Sequence, residues 1–178
     1  AIGIGTMSTT DRDRRVNNNT VYKVEASSSA SAYGISIPDN TGEEIQNNLV
    51  IDTGGATSGT TADFKNSSYS NATCSHNASS DSTASGTGAL TSQTTSEFVS
   101  TVAGSEDLHL ASGANCYESG ADLGTTPTGV EVDIDGDDRD ASGATWSIGA
   151  DQGQAPVGGG GNQNPLSMGA INLLVGKL

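Results

Sequence analysis

Residues 16–22 read V-N-N-N-T-V-Y, and 29 positions further on residues 45–51 read I-Q-N-N-L-V-I. Each copy is an apolar residue, a polar stretch ending in Asn, and a short apolar run. A loosely matching strand precedes each copy, at residues 1–5 and 33–37, and a weaker third copy starts at 62–64 and runs through 71–74. Period-two segments of β-branched residues bounded by Gly, Asn and Ser read as strands. A unit of this length lies in the range of repeats that bury their apolar face by stacking on one another. The alternative is a pair of unrelated hairpins in a β-sandwich.

Composition favours stacking. Leu, Ile, Val and Phe total 30 of 178 residues, whereas Ser, Thr, Gly and Asn total 81. So few large apolar side chains cannot fill a broad core. A parallel-stranded solenoid needs only a narrow one, and ladders of Asn, Ser and Thr satisfy its turns. Residues 26–31 and 53–60 are small-residue loops of the kind such repeats tolerate on one face. Between 67 and 105 apolar residues thin out, so regular strands are expected to stop there, with Phe98 and Val99 as a lone anchor. No segment carries a 3.6-residue apolar period, so helix is minor.

Four elements follow in order: D-L-H-L-A-S-G at 107–113, G-A-D at 120–122, D-I-D-G-D-D-R at 133–139 and W-S-I-G-A-D at 146–151. This series resembles the C-terminal segment of right-handed parallel β-helix proteins of the pectate-lyase-like superfamily, found in phage-associated and bacterial surface proteins. It departs from that pattern at Ala114-Asn115, Ser147 and Gln152. The resemblance implies an all-β fold: a right-handed parallel β-helix fragment with a C-terminal cap and an extended tail. The expected organisation is solenoid rungs over 1–106, the cap over 107–152, a Gly/Gln/Asn-rich linker over 153–165 and an apolar docking tail over 166–178.

Residues 118–151 hold nine acids and one cation, Arg139. A lone guanidinium among carboxylates favours a bidentate pair, with Asp133 or Asp151 the expected partner. Leu108 and Leu110 alternate with His109, so the leucines pack and the histidine points away. The bland reading of this segment is a cover for an open solenoid end. The sharper one is calcium held by Asp133, Asp135 and Asp137, with Asp138 beside them, although Gly136 comes too early for an EF-hand. Cys74, His76, His109 and Cys116 match no zinc spacing and read as small buried thiols and surface histidine, with a Cys74–Cys116 disulfide the open alternative.

Seven Lys and Arg against 21 Asp and Glu give a formal charge of −14. That argues against nucleic acid and against an anionic membrane surface, and no apolar run approaches the length of a span. Arg12, Arg14 and Arg15 interleave with Asp11 and Asp13 as a self-neutralising loop. No catalytic signature is recognisable and no cofactor is expected, calcium apart.

The most apolar stretch, 166–178, follows the linker, with Leu173, Leu174, Val175 and Leu178 as expected assembly anchors. The start at Ala1 reads as mid-repeat, so a longer protein or a partner-covered end is expected. Two functions compete. The first is a non-catalytic structural protein of a virion surface, a decoration, fibre or spike, whose partners are copies of itself or other structural subunits. The second is a carbohydrate-binding or polysaccharide-degrading extracellular β-helix.

Overall fold

The computed structural model describes residues 2–3, 15–27, 29–36, 43–65, 73–140 and 145–153. Among the described residues eleven strands run in chain order: β1 (Ile2–Gly3), β2 (Arg15–Asn17), β3 (Thr20–Tyr22), β4 (Ala32–Ser36), β5 (Glu44–Gln46), β6 (Leu49–Ile51), β7 (Thr61–Phe64), β8 (Thr73–Ser75), β9 (Ala78–Ser79), β10 (Phe98–Ser100) and β11 (Asp107–Leu110). Among the described residues the only helix is a 3-10 turn at Thr95–Glu97. The fold is all-β.

Nine strands form three parallel sheets, ordered β1-β4-β7, β2-β5-β8 and β3-β6-β9. From β2 onward the register keeps the sequence period. Val16 pairs with Ile45 and Ile45 with Cys74, Val21 with Val50, and Ile35 with Phe64. Each pair is 29 residues apart, so the sequence repeat is the structural one.

The Asn run makes this possible. Asn18, Asn47 and His76 sit at φ of 56°, 55° and 49°, which bends the chain between β2 and β3, β5 and β6, and β8 and β9. Asn and His enter this left-handed region more readily than other non-glycine residues. The next residue in each copy builds a ladder. Asn19 Nδ2 donates to Asn48 Oδ1 at 2.9 Å, and Asn48 Nδ2 donates to Asn77 Oδ1 at 3.0 Å.

Val16, Val21, Ile35, Ile45, Val50 and Phe64 fill the space between the sheets. Gly34 of β4 faces Val50 of β6 with no room for a side chain. A Cβ there would stand 2.2 Å from Val50 Cγ1 and 2.8 Å from the Asp63 carbonyl oxygen. Gly34→Ala is therefore expected to cost about 1–3 kcal/mol, read as a lower urea midpoint. An unchanged midpoint would show that the wall yields freely.

The parallel register reaches β8, at the third copy expected through 71–74, and outlasts the sequence expectation at β9, inside the stretch where strands were expected to stop. Its third set is thin, with Cys74 and Ser79 where the second set has Ile45 and Val50. The exposed edge is closed by residues 80–90. Asp81 Oδ2 and Thr83 Oγ1 accept the Asp63 and Phe64 amides of β7, and Thr87 and Leu90 bridge β8 and β9.

Residues 107–140 and 145–152 include a stretch that lies along the flank, across the Asn corner. Asn18 Nδ2 donates to the Val130 carbonyl, the Asn47 amide exchanges two hydrogen bonds with the Ala121 backbone, and Gly149 N–H donates to the Asn47 carbonyl. Beneath it is a second apolar cluster of Leu49, Ile51, Ala78, Phe98, Leu110, Cys116 and Ile148. All three residues of β6 are consequently buried: Val50 faces the inner core, while Leu49 and Ile51 face this outer one. Phe98 meets Tyr22 edge-on at 5.6 Å, whereas Val99 beside it is exposed. The tail at 166–178, with Leu173, Leu174, Val175 and Leu178, and the linker from 154 onward lie outside the described residues.

Candidate functional site

The charged cluster of the flank segment is assembled by three pieces of chain: β11, the turn at 133–138 and the stretch 145–153. In β11 Leu110 is buried and His109 is exposed, as their alternation requires. The turn is organised by Asp133. Its Oδ1 accepts the Asp135 and Asp137 amides, both at 2.9 Å, and its Oδ2 accepts the Gln152 amide at 3.0 Å. Partial burial pushes the Asp133 carboxyl up, but these N–H donors and the Arg139 charge outweigh it and hold the group below its ordinary range.

Arg139 is fully buried. It does not form the expected bidentate pair with Asp133 or Asp151. Its Nη2 donates to the carbonyls of Gly149 at 3.0 Å and Ala150 at 2.6 Å, and its Nη1 to Ser147 at 3.4 Å. The reason is that the carboxylates are already engaged: Asp133 by the three amides above, and Asp151 Oδ2 by the Leu110 amide at 2.6 Å. The two acids act on the guanidinium through their charge, partly opposing the downward pull of burial on its pKa. The Trp146 ring lies 5.9 Å from the guanidinium carbon, and Trp146 Nε1 donates to Asp140 Oδ1 at 2.6 Å.

Asp133, Asp135 and Asp151 each bring a carboxylate oxygen within 4.8 Å of the others. This set differs from the one expected from the sequence. Asp137 gives its backbone N–H to Asp133 and is replaced in the group by Asp151, which comes from a distant stretch. Such oxygens suit a hard divalent cation. Here they are engaged from within the chain, by backbone amides, by His109 and by the field of Arg139.

His109 is the member that sequence reasoning set aside as a surface histidine. Its Nδ1 lies 2.5 Å from Asp107 Oδ1 and its Nε2 lies 3.1 Å from Asp135 Oδ2. The signal for the first contact was present in D-L-H, since residues two apart on a strand share a face. A pocket of about 200 Å³ opens beside it, lined by Thr20, Leu108, His109, Ile134, Ala150 and Asp151.

A second concavity, of about 300 Å³, lies on the outer face of β2 and β5 and is lined by Arg15, Asn17, Glu44, Gln46, Asp122, Leu123 and Thr126. Arg15 pairs there with Glu44 at 2.9 Å and donates to the Thr126 carbonyl. Cys74 and Cys116 are free thiols rather than a disulfide. Burial, reinforced by Glu97, pushes the Cys116 thiol far up, which makes it a packing residue. Comparison with protein-family models, with curated proteins and with solved structures finds no match to this chain.

Proposed function

We propose that the three parallel sheets are the walls of a right-handed parallel β-helix, and that the chain is a non-catalytic structural module of a virion or extracellular surface assembly. The observation that carries this reading is the 29-residue register that each of the three sheets keeps from β2 onward. Such a scaffold presents constant surfaces along an axis, as a fibre, spike or decoration protein requires. The buried acids favour a structural role too. Asp63 accepts the Ser80 and Asp81 amides, Glu97 the Cys116 amide, and Asp151 the Leu110 amide. Carboxylates so committed hold loops rather than move protons.

Assembly is assigned to the apolar segment 166–178, with copies of the chain or other structural subunits as partners. Deleting these residues should leave the melting temperature within about 2 °C of the full chain, a small shift for a domain of this size, while light scattering shows loss of the oligomer. A truncated chain that assembles normally, or one that unfolds, would reject the tail as the tether. A second reading, binding of a polysaccharide, is favoured by the polar concavity at Arg15, Asn17, Glu44 and Gln46. Saturable glycan binding by a monomer, abolished by Gln46→Ala, would decide for it.

A further inference from the structure

We propose that the apolar pocket between Leu108 and Ile134 is the resting dock of the chain's own segment 166–178. The inference stands on the pocket and on where the tail is tethered, and does not depend on whether the tail joins copies. The pocket is about 200 Å³ and is walled by Thr20, Leu108, Ile134 and Ala150, with His109 and Asp151 at its polar side. Sites for small molecules run from about 300 to 1,000 Å³, so this one suits one or two aliphatic side chains rather than a free ligand. Ile134 is 69% exposed, and Val132, two residues away, 39%. A lone exposed Ile needs no explanation. One that walls an apolar concavity, with a second exposed aliphatic close by in the chain, marks a place for an apolar partner.

The tail is the partner within reach. Ala150 and Asp151 belong to the pocket wall, and the described chain ends two residues later at Gly153. A Cβ on Gly153 would lie 3.2 Å from Leu110 Cβ, on the strand that carries Leu108. The linker 154–165 follows directly, and a Gly-rich chain of that length spans roughly 20 Å. Charge agrees with this placement. No Asp or Glu follows Asp151, and Lys177 is the one cation after Arg139. The pocket mouth carries Asp151, with Asp133 and Asp135 within 4.8 Å of it. An acid-free apolar segment with one lysine suits that surface. The body of a second copy, in a chain of formal charge −14, is repelled by it.

Size separates the chain's own tail from a neighbour's. A stable contact between separate chains buries about 1,200–2,000 Å², far more than a pocket for one or two side chains supplies. A tether replaces that area with an effective concentration in the millimolar range, which fills even a weak site. Leu173, Leu174 and Val175 are the side chains to fill it. The most apolar segment of the chain is thereby sheltered in the free subunit, and a neighbour that takes the tail must compete with the pocket.

Hydrogen exchange on the full chain tests this. Amides of 171–175 should be protected on the order of tenfold over an unstructured peptide, as a millimolar tether gives a contact of roughly 0.1 mM intrinsic affinity. The protection should not change on serial dilution. Ile134→Glu, at an exposed side chain, should abolish it while the amides of β6 keep their parental protection. Leu174→Asp should do the same from the tail side. It should also shift the Ile134 methyl resonance, assigned through Ile134→Val, a readout that holds even if Ile134→Glu folds poorly. Tail amides that exchange as an unstructured peptide overturn the proposal. So does protection that survives Ile134→Glu in a folded chain, or an Ile134 methyl that Leu174→Asp leaves unmoved. Protection that fades on dilution also overturns it, because the tail would then lie on a neighbouring copy.

Discussion

Asn48→Asp is expected to destabilise the chain by about 3–5 kcal/mol, the range for an uncompensated buried charge. The Asn48 side chain is fully buried. Its Nδ2 donates to the carbonyls of Val16 at 2.6 Å and Gln46 at 3.1 Å and to Asn77 Oδ1 at 3.0 Å. Its Oδ1 accepts from Asn19 N at 3.2 Å and Asn19 Nδ2 at 2.9 Å. Aspartate keeps the acceptor but replaces the donor with an anion that faces three oxygens. Asn48→Ala removes the same donor without adding charge, and its expected loss is smaller, about 2–3 kcal/mol. Domains of this kind have total stabilities of about 5–15 kcal/mol, so the aspartate variant should show a large fall in urea midpoint. If Asn48→Asp stays within 1 kcal/mol of the parent, the ladder is not what holds the strand sets in register.

Arg139→Met should be comparably damaging, again by about 3–5 kcal/mol. Methionine fills much of the volume but leaves the Ser147 and Gly149 carbonyls without the guanidinium donor, and the Ala150 carbonyl with the Ile134 N–H alone. It also leaves Asp133 and Asp151 without the cation whose field they share. Arg139→Lys retains the charge but not the planar fork, so its loss should be intermediate. The single tryptophan of the chain stacks near this guanidinium, so Trp146 fluorescence reports the local melt directly. A parent-like fluorescence melt for Arg139→Met would mean that the flank is held by its apolar cluster alone.

The strand sets were legible because their signal is local and repeated. V-N-N-N-T-V-Y and I-Q-N-N-L-V-I hold the inward residue, the left-handed corner and the ladder residue at fixed positions. The third set was harder to see, because Cys74 and Ser79 replace the large apolar residues that mark the first two. The contact of the flank residues with β6 was hard to read for another reason. Its clue was Leu49-Val50-Ile51, which breaks the alternation of a strand wetted on one face and so calls for cover on both sides. The partners of Arg139 were not readable from composition. Which acids are free to pair depends on which backbone amides reach them first, and the Gln152 amide reaches Asp133 only in the folded chain. For the same reason Asp151 took the place of Asp137 in the acidic group.

The flank segment also changes how this chain should come apart. A stack of repeats that touch only their neighbours frays from its ends and unfolds one unit at a time. Here Val130 and Ala150 reach the first set, at Asn18 and Thr20, and Ala121 the second, at Asn47. The first set cannot peel away without releasing contacts that also hold the second. The flank thus acts as a longitudinal splint and turns a sequential array into one cooperative unit, in which amides of β3 and β6 should exchange together rather than in order.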